Sequence, residues 1–139
     1  MESINEANDA TTATPREAIT EHVVNPANDR IKIEVMDEPG AGGACHVYAV
    51  QWSYEDGHEH PNSVTLCFQN GPIAEAGVNG LTHEVLLAIL AHRLRGFQDG
   101  PFRCRENALA LTKIEEAQHW LHHRTHARMS RGVEGTHEK

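Results

Sequence analysis

Cysteine is sparse in this sequence, and long apolar runs are missing altogether. Cys45, Cys67 and Cys104 are scattered, odd in number and never spaced as a CxxC pair. That excludes a disulfide framework and points to a reducing cytoplasm. No stretch approaches the roughly 20 apolar residues that a membrane span needs, and the N-terminus has no apolar core of the signal-peptide type. Hydrophobic residues reach 39%, below the usual globular share, so part of the 139-residue chain is expected to stay unpacked. The motifs of common chemistries are missing too. There is no Walker phosphate loop, no dinucleotide-binding glycine fingerprint, no GxSxG elbow and no HExxH metal motif. The sequence does not read as an enzyme, and no cofactor is called for.

What is present is an uneven distribution of charge. The net charge is −8. From His92 onward, nine Lys or Arg face six Asp or Glu; before it, three face fourteen. The acidic part keeps the molecule soluble, while the last third can offer arginines to a small anion. No extended basic stripe exists for long nucleic acid.

The pattern along the chain divides it into four blocks. Residues 1–28, rich in Asn, Ala, Thr and Glu, read as a disordered tail, with room for a short helix over Pro15–Val23. Residues 29–70 carry three runs of strand type: Ile31–Val35, His46–Trp52 and Ser63–Phe68. Short turns between them predict a small antiparallel sheet, which needs a cover or a partner to be stable. Residues 71–131 read as a helical hairpin. Thr82 is a good N-cap, Leu86, Ile89, Leu90, Leu94 and Phe97 follow at helical spacing, and Gly100-Pro101 ends the first helix. The second helix runs from about Arg105 to Met129 with Leu111, Ile114, Ala117 and Leu121 on one stripe. Residues 132–139 read as a C-terminal tail. The fold class is therefore α+β, a small antiparallel sheet followed by a long antiparallel helical hairpin.

Three groups of residues invite a functional reading. His119, His122, His123 and His126 give two i, i+4 pairs that can chelate a metal, and His58 and His60 near Cys67 form a second cluster. No Glu or Cys sits at a motif spacing that would complete a catalytic metal site, such as HExxH or a Cys pair, so surface decoration is the better reading and no metal is expected. Cys67, at a strand end, reads as a core residue. Gly77 and Gly80 bracket Asn79 in a turn suited to positive φ. Arg124 and Arg128, one turn apart, make a fork for phosphate, against the plainer reading of cations placed at a helix C-terminus by its dipole.

From Gly71 to His137 the sequence resembles a phage hairpin domain, most specifically in GVNG (77–80), in RL..FQ.GPF.C.EN.LAL (93–111) and in RT..R..RGVEGTH (124–137). This is the hairpin shared by Thoeris anti-defence proteins of the first type and anti-CBASS sponges, and the sheet ahead of it favours the former. The resemblance implies a protein that captures a nucleotide immune signal, glycocyclic ADP-ribose, and leaves it chemically intact. It implies action in the cytoplasm of the infected bacterial host. The alternative it leaves open is a sponge for cyclic di- or trinucleotides, at the same or separate sites. A signal-cleaving hydrolase and a structural phage protein are the remaining rivals. The signal-binding positions it implies are Phe97, Asn107, Arg124 and Arg128. Phe97 offers a flat face for a base, Asn107 a donor and an acceptor, and the arginines a pyrophosphate contact. By its spacing alone, Phe97 also passes as plain core.

One geometric consequence follows from the residues alone. Asn107 and Arg124 are seventeen positions apart on one helix, about 25 Å at 1.5 Å per residue. If both touch one small ligand, the arginines must come from a second subunit running antiparallel, which requires at least a dimer. Trp120 and Leu121 are candidates for that helix–helix contact.

Overall fold

The computed structural model describes residues 17–53 and 62–138. In chain order these form β1 (Glu17–Ile19), α1 (Pro26–Asp29), β2 (Ile31–Val35), β3 (Val47–Trp52), β4 (Asn62–Cys67), α2 (Ile73–Ala76), α3 (His83–Asp99) and α4 (Arg105–Ser130). A 3-10 turn, Ala41–Gly43, lies between β2 and β3. The fold is α+β, with an antiparallel sheet followed by a helical hairpin. The chain divides into two compact units that are not successive blocks. One holds residues up to Pro39 together with Val47–Leu66, and the other holds Gly40–His46 together with Cys67 onward.

The sheet has four strands in chain order. The alternation of Ile31, Ile33 and Val35 is the β2 pattern, and β2 pairs β3 from Ile31↔Trp52 to Val35↔Tyr48. The strand β1 departs from the sequence expectation of a short helix within a disordered tail. It pairs Glu17↔Val35 and Ile19↔Ile33. Three residues gain too little from helical propensity to nucleate a helix, whereas the open edge of β2 offers them ladder hydrogen bonds. Residues 25–29 are also ordered, as Asn25 caps α1 by accepting from the Asn28 N–H at 3.0 Å. Residues 1–16 of the expected tail, and His58 and His60, lie outside the described residues.

In the second unit, the turn before α3 is built by side chains that replace a regular ladder. Asn79 Oδ1 accepts from the Asn70 N–H at 2.8 Å, and Asn79 Nδ2 donates to the Asn70 carbonyl at 2.7 Å. Gln69 returns the pattern, its Oε1 accepting from the Asn79 N–H at 2.9 Å and its Nε2 donating to the Gly77 carbonyl at 2.7 Å. Of the three turn residues, only Gly77 has positive φ (71°); Asn79 does not. Gly80 is required for space instead. A Cβ there would sit 2.5 Å from the Phe68 carbonyl carbon and 2.6 Å from the Cys67 and Phe68 oxygens. The cause is the Phe68↔Leu81 bridge, in which backbone meets backbone. Gly80→Ala is therefore expected to cost about 3 kcal/mol or more and to lower the melting temperature by roughly 8 °C. Gly96→Ala, on open helix surface with nothing within 4 Å of the added carbon, should instead gain up to about 1 kcal/mol. Thermal melts of the two variants check the contrast.

The hairpin packs along a seam of alternating three- and four-residue steps. On α3 the inward residues are Glu84, Leu87, Ala91, Leu94 and Gln98; on α4 they are Asn107, Leu111, Ile114, Gln118, Leu121, Thr125 and Arg128. This is the knobs-into-holes spacing of paired helices. Ala91 is fully buried, and its small side chain lets α4 approach closely. Leu111, Ile114 and Leu121 of the expected α4 stripe lie in this seam, while Ala117 is half-buried beside it and Gln118 takes the seam position. The α3 stripe departs from the expected one, because this helix is apolar on two neighbouring faces. Ile89 (58% exposed), Leu90 (46%) and Phe97 (38%) lie on the face that α4 leaves open.

Candidate anion-binding cleft

The four residues implied by the resemblance fall in two places on the hairpin. Phe97 and Asn107 flank its tip. There Gln98 Nε2 donates to the Cys104 carbonyl and Gln98 Oε1 accepts from the Cys104 N–H, both at 3.1 Å. Cys104 Sγ then caps α4 by accepting from the Asn107 N–H at 3.5 Å. The FQ.GPF.C.EN run thus encodes a closed tip that fixes where Phe97 and Asn107 start. The Asn107 side chain is half-buried and makes no hydrogen bond among the described residues, so its donor and acceptor both remain available. The Arg93 guanidinium carbon lies 5.1 Å from the Phe97 ring centroid, covering part of the flat face.

Arg124 and Arg128 lie at the base of the hairpin, where both line a cleft of about 570 Å³. Its walls come from the 69–73 segment, from the first turn of α3 (Thr82 and Glu84), from α4, and from the chain past α4 (Glu134, Gly135 and Thr136). The volume lies within the roughly 300–1,000 Å³ typical of small-molecule sites. The first turn of a 17-residue helix adds the positive end of its dipole to the two guanidinium groups.

The two arginines are not equivalent. Arg128 is 13% exposed at its side chain and already uses four of its five N–H donors. Its Nε donates to Glu134 Oε2 at 3.0 Å, Nη2 donates to the Val133 and Thr136 carbonyls at 2.9 Å each, and Nη1 donates to the Glu138 carbonyl. It winds the last residues of the chain around the end of α4, helped by Gly132 and Gly135 at positive φ (70° and 78°). The wound segment then holds α2, since the Ala74 N–H donates to the Gly135 carbonyl at 3.0 Å. Arg124 is exposed and has no hydrogen bond or ion pair among the described residues. It is the guanidinium left open to a ligand.

The other candidates named from the sequence sort differently. Among the described residues, no group of three or more His, Cys, Asp or Glu is placed to hold a metal. His119 and His123 pack against Trp120, with ring centroids 5.5 and 5.9 Å away, while His122 and His126 line the cleft. Cys67 is exposed rather than core, because it ends β4 where the chain turns toward the helices. Trp120 is 66% exposed and stays outside the hairpin seam, whereas Leu121 lies within it. Glu84 is half-buried at the cleft. Sequence reasoning misses it as a site residue, because an acidic side chain in a first turn is already explained by the helix dipole.

Comparison with known proteins bears on this same segment. The family described as Acb2/Tad1, hairpin domain, matches residues 66–125. A protein of Bacillus phage SBSphiJ7 named Thoeris anti-defense 1 is 56% identical over 75 residues, which is 54% of this chain and 53% of that protein. The chain thus spans about half the length of the relative it matches. The family match contains the tip, the seam as far as Thr125, and Arg124, and it stops short of Arg128 and the wound C-terminal segment. Over the hairpin, the chain is thus similar to the Acb2/Tad1 hairpin family and to the Thoeris anti-defense 1 protein of that phage.

Proposed function

We propose that this protein is a phage anti-defence sponge that binds glycocyclic ADP-ribose in the host cytoplasm and holds it without degrading it. The observation that carries this reading is the cleft at the hairpin base, where an unpaired arginine stands beside the first turn of α3. Arg124 and that helix end favour a pyrophosphate, against the half-buried carboxylate of Glu84 beside them. The phosphates must therefore come with further groups that the cleft can hold. The proposed binding module is the hairpin, residues 71–131, with Phe97 and Asn107 gripping the base and ribose and Arg124 the phosphates. Arg128 belongs to the site as the residue that shapes its wall.

On this reading, the distance of about 25 Å between Asn107 and Arg124 along α4 puts the two ends of one site on different subunits. The open apolar face of α3, with Ile89, Leu90 and Phe97, is the surface that a second copy would cover. A thin core supports the same reading: among the described residues only Val35, Ala91 and His46 are buried. A chain with so little buried surface gains most from association.

Sequestration rather than cleavage is supported by how two of the three cleft hydroxyls are used, the third, on Thr125, making no side-chain hydrogen bond among the described residues. Thr82 Oγ1 caps α3 by accepting from the Val85 N–H at 3.4 Å. Thr136 Oγ1 donates to the Val133 carbonyl at 2.6 Å and accepts from the Glu138 N–H at 3.2 Å. Neither is poised as a nucleophile. Heat denaturation of the loaded protein should accordingly release the ligand intact and in stoichiometric amount, as read by chromatography. Turnover to a linear product would replace the sponge with a hydrolase. Calorimetry with cyclic di- and trinucleotides separates the CBASS alternative from the Thoeris reading.

A further inference from the structure

Two of the four histidines on α4 have no role in the reading above, yet they stand in the same cleft. His122 and His126 line it together with Arg124, Thr125 and Arg128, so nearly two turns of α4 contribute one wall. The i, i+4 spacing places both rings on one flank of the helix. Neither ring has a hydrogen bond, ion pair or ring contact among the described residues. The other pair differs. His119 and His123 stack on each other at 6.5 Å and meet the edge of Trp120, so packing accounts for them.

The polar groups of the cleft can be sorted by whether they are spent. Glu134 is paired with Arg128, and Thr82 and Thr136 serve the backbone. Arg124, Glu84, His122, His126 and the Thr125 hydroxyl are left without a partner among the described residues. One cation, one carboxylate and two imidazoles make a poor receptor for bare phosphate, because Glu84 repels it. They suit a ligand whose phosphate is flanked by hydroxyls and a heterocycle. A neutral imidazole offers one N–H donor, one nitrogen acceptor and a flat ring, which match a ribose hydroxyl or a base edge.

We infer that His122 and His126 are ligand-binding residues, contacting the sugar or base beside the phosphate held by Arg124. This inference rests on the proposed function, since it assigns a further contact within that cleft.

The test compares two double variants by calorimetry with glycocyclic ADP-ribose as the probe. His122→Gln/His126→Gln should weaken binding by about tenfold or more, as lost contacts in a bound site do. His119→Gln/His123→Gln, on the same helix, should leave affinity within about twofold of wild type. Gln keeps helical propensity, and melting curves of both variants report whether α4 is intact. Single His126→Gln, with a partial loss, guards against a folding artefact of the double change. Equal affinity for the cleft variant and wild type overturns the inference and leaves the proposed function standing, as does an equal loss in both pairs. Loss of wild-type binding in EDTA also overturns it, because the rings would then be metal ligands. Failure of the wild-type protein to bind the probe at all overturns the proposed function, and this inference with it.

Discussion

Mixing Asn107→Ala subunits with Arg124→Ala subunits should restore binding that neither variant shows alone. Each substitution removes a group from one end of the proposed composite site. Asn107→Ala leaves base or ribose groups unpaired, and Arg124→Ala leaves phosphate charge uncompensated. Losses of this kind weaken binding by about ten- to a hundredfold each. At a ligand concentration that just saturates the wild type, both homodimers should therefore read as empty. In a heterodimer one site inherits both lesions and the other inherits neither. If random exchange makes half the dimers mixed, the sample recovers about a quarter of wild-type capacity. Arg124 is the right partner for this experiment and Arg128 is not, because truncating Arg128 would also unwind the chain that forms the cleft wall. Exchange confirmed by mass spectrometry without any recovery would mean that the site lies within one chain. The open face on α3 would then need a different explanation.

The legible parts of the sequence are those in which one local pattern has one reading. Ile31, Ile33 and Val35 alternate, and they form β2 as expected. Thr82 before an apolar run reads as an N-cap, and it caps α3. Gly100 ends that helix. The strand β1 is hidden because Glu17–Ile19 carries no alternation of its own and acquires its structure only from β2, which lies more than ten residues on. The α3 face is ambiguous for a related reason. Leu86, Leu87, Leu90, Ala91 and Leu94 support two overlapping stripes, and periodicity alone weights Leu and Ile over Ala. The helix pair adopts the stripe with the smallest residue at its centre, since a close approach buries more of both helices.

The site shows the same limit in another form. Sequence can place Arg124 and Arg128 one turn apart, and residue type makes them look interchangeable. It cannot show that six residues further on the chain turns back and occupies one of them. The glycines of RGVEGTH are the available signal, since two positive-φ positions in four residues indicate a reversal. The histidines look like decoration because a helical wheel cannot tell a solvent face from a cleft wall built by other segments. Gly80 shows the converse. Its sequence context suggests a dihedral angle that it does not adopt, when the real constraint is a backbone neighbour 2.5 Å from where a Cβ would stand.

Arg128→Ala should have the largest structural effect of any change in the cleft, and Arg128→Lys should not rescue it. The guanidinium makes four hydrogen bonds to the residues that follow α4, one of them to a carboxylate, from a largely buried position. A buried charged pair that loses one partner costs about 3–5 kcal/mol. Glu134 is 38% exposed, so water can take up part of that loss, and about 2–3 kcal/mol is the expected value. Most of it should appear locally. Beyond these bonds, the last residues are tied to α2 only through Ala74 to Gly135 and the exposed pair His137 and Glu75, among the described contacts. The natural response is for that segment to unwind while the hairpin seam around Ala91 holds. Hydrogen exchange should therefore accelerate at Gly132, Val133 and Thr136, and also at Ala74, whose N–H is held by the Gly135 carbonyl. The seam amides of α3 should change little. Lysine keeps the charge but has no planar fork, so it cannot serve Glu134, Val133, Thr136 and Glu138 together. Ligand affinity should fall with the wall rather than with the charge, and the salt dependence of the residual binding separates the two. Arg124→Ala should flatten the slope of log affinity against log salt, because it removes a phosphate contact. Arg128→Ala should weaken binding and leave that slope as it is in the wild type. A flattened slope in the Arg128 variant, with unchanged exchange at 132–138, would make Arg128 a direct phosphate ligand and its contacts to the C-terminal segment incidental.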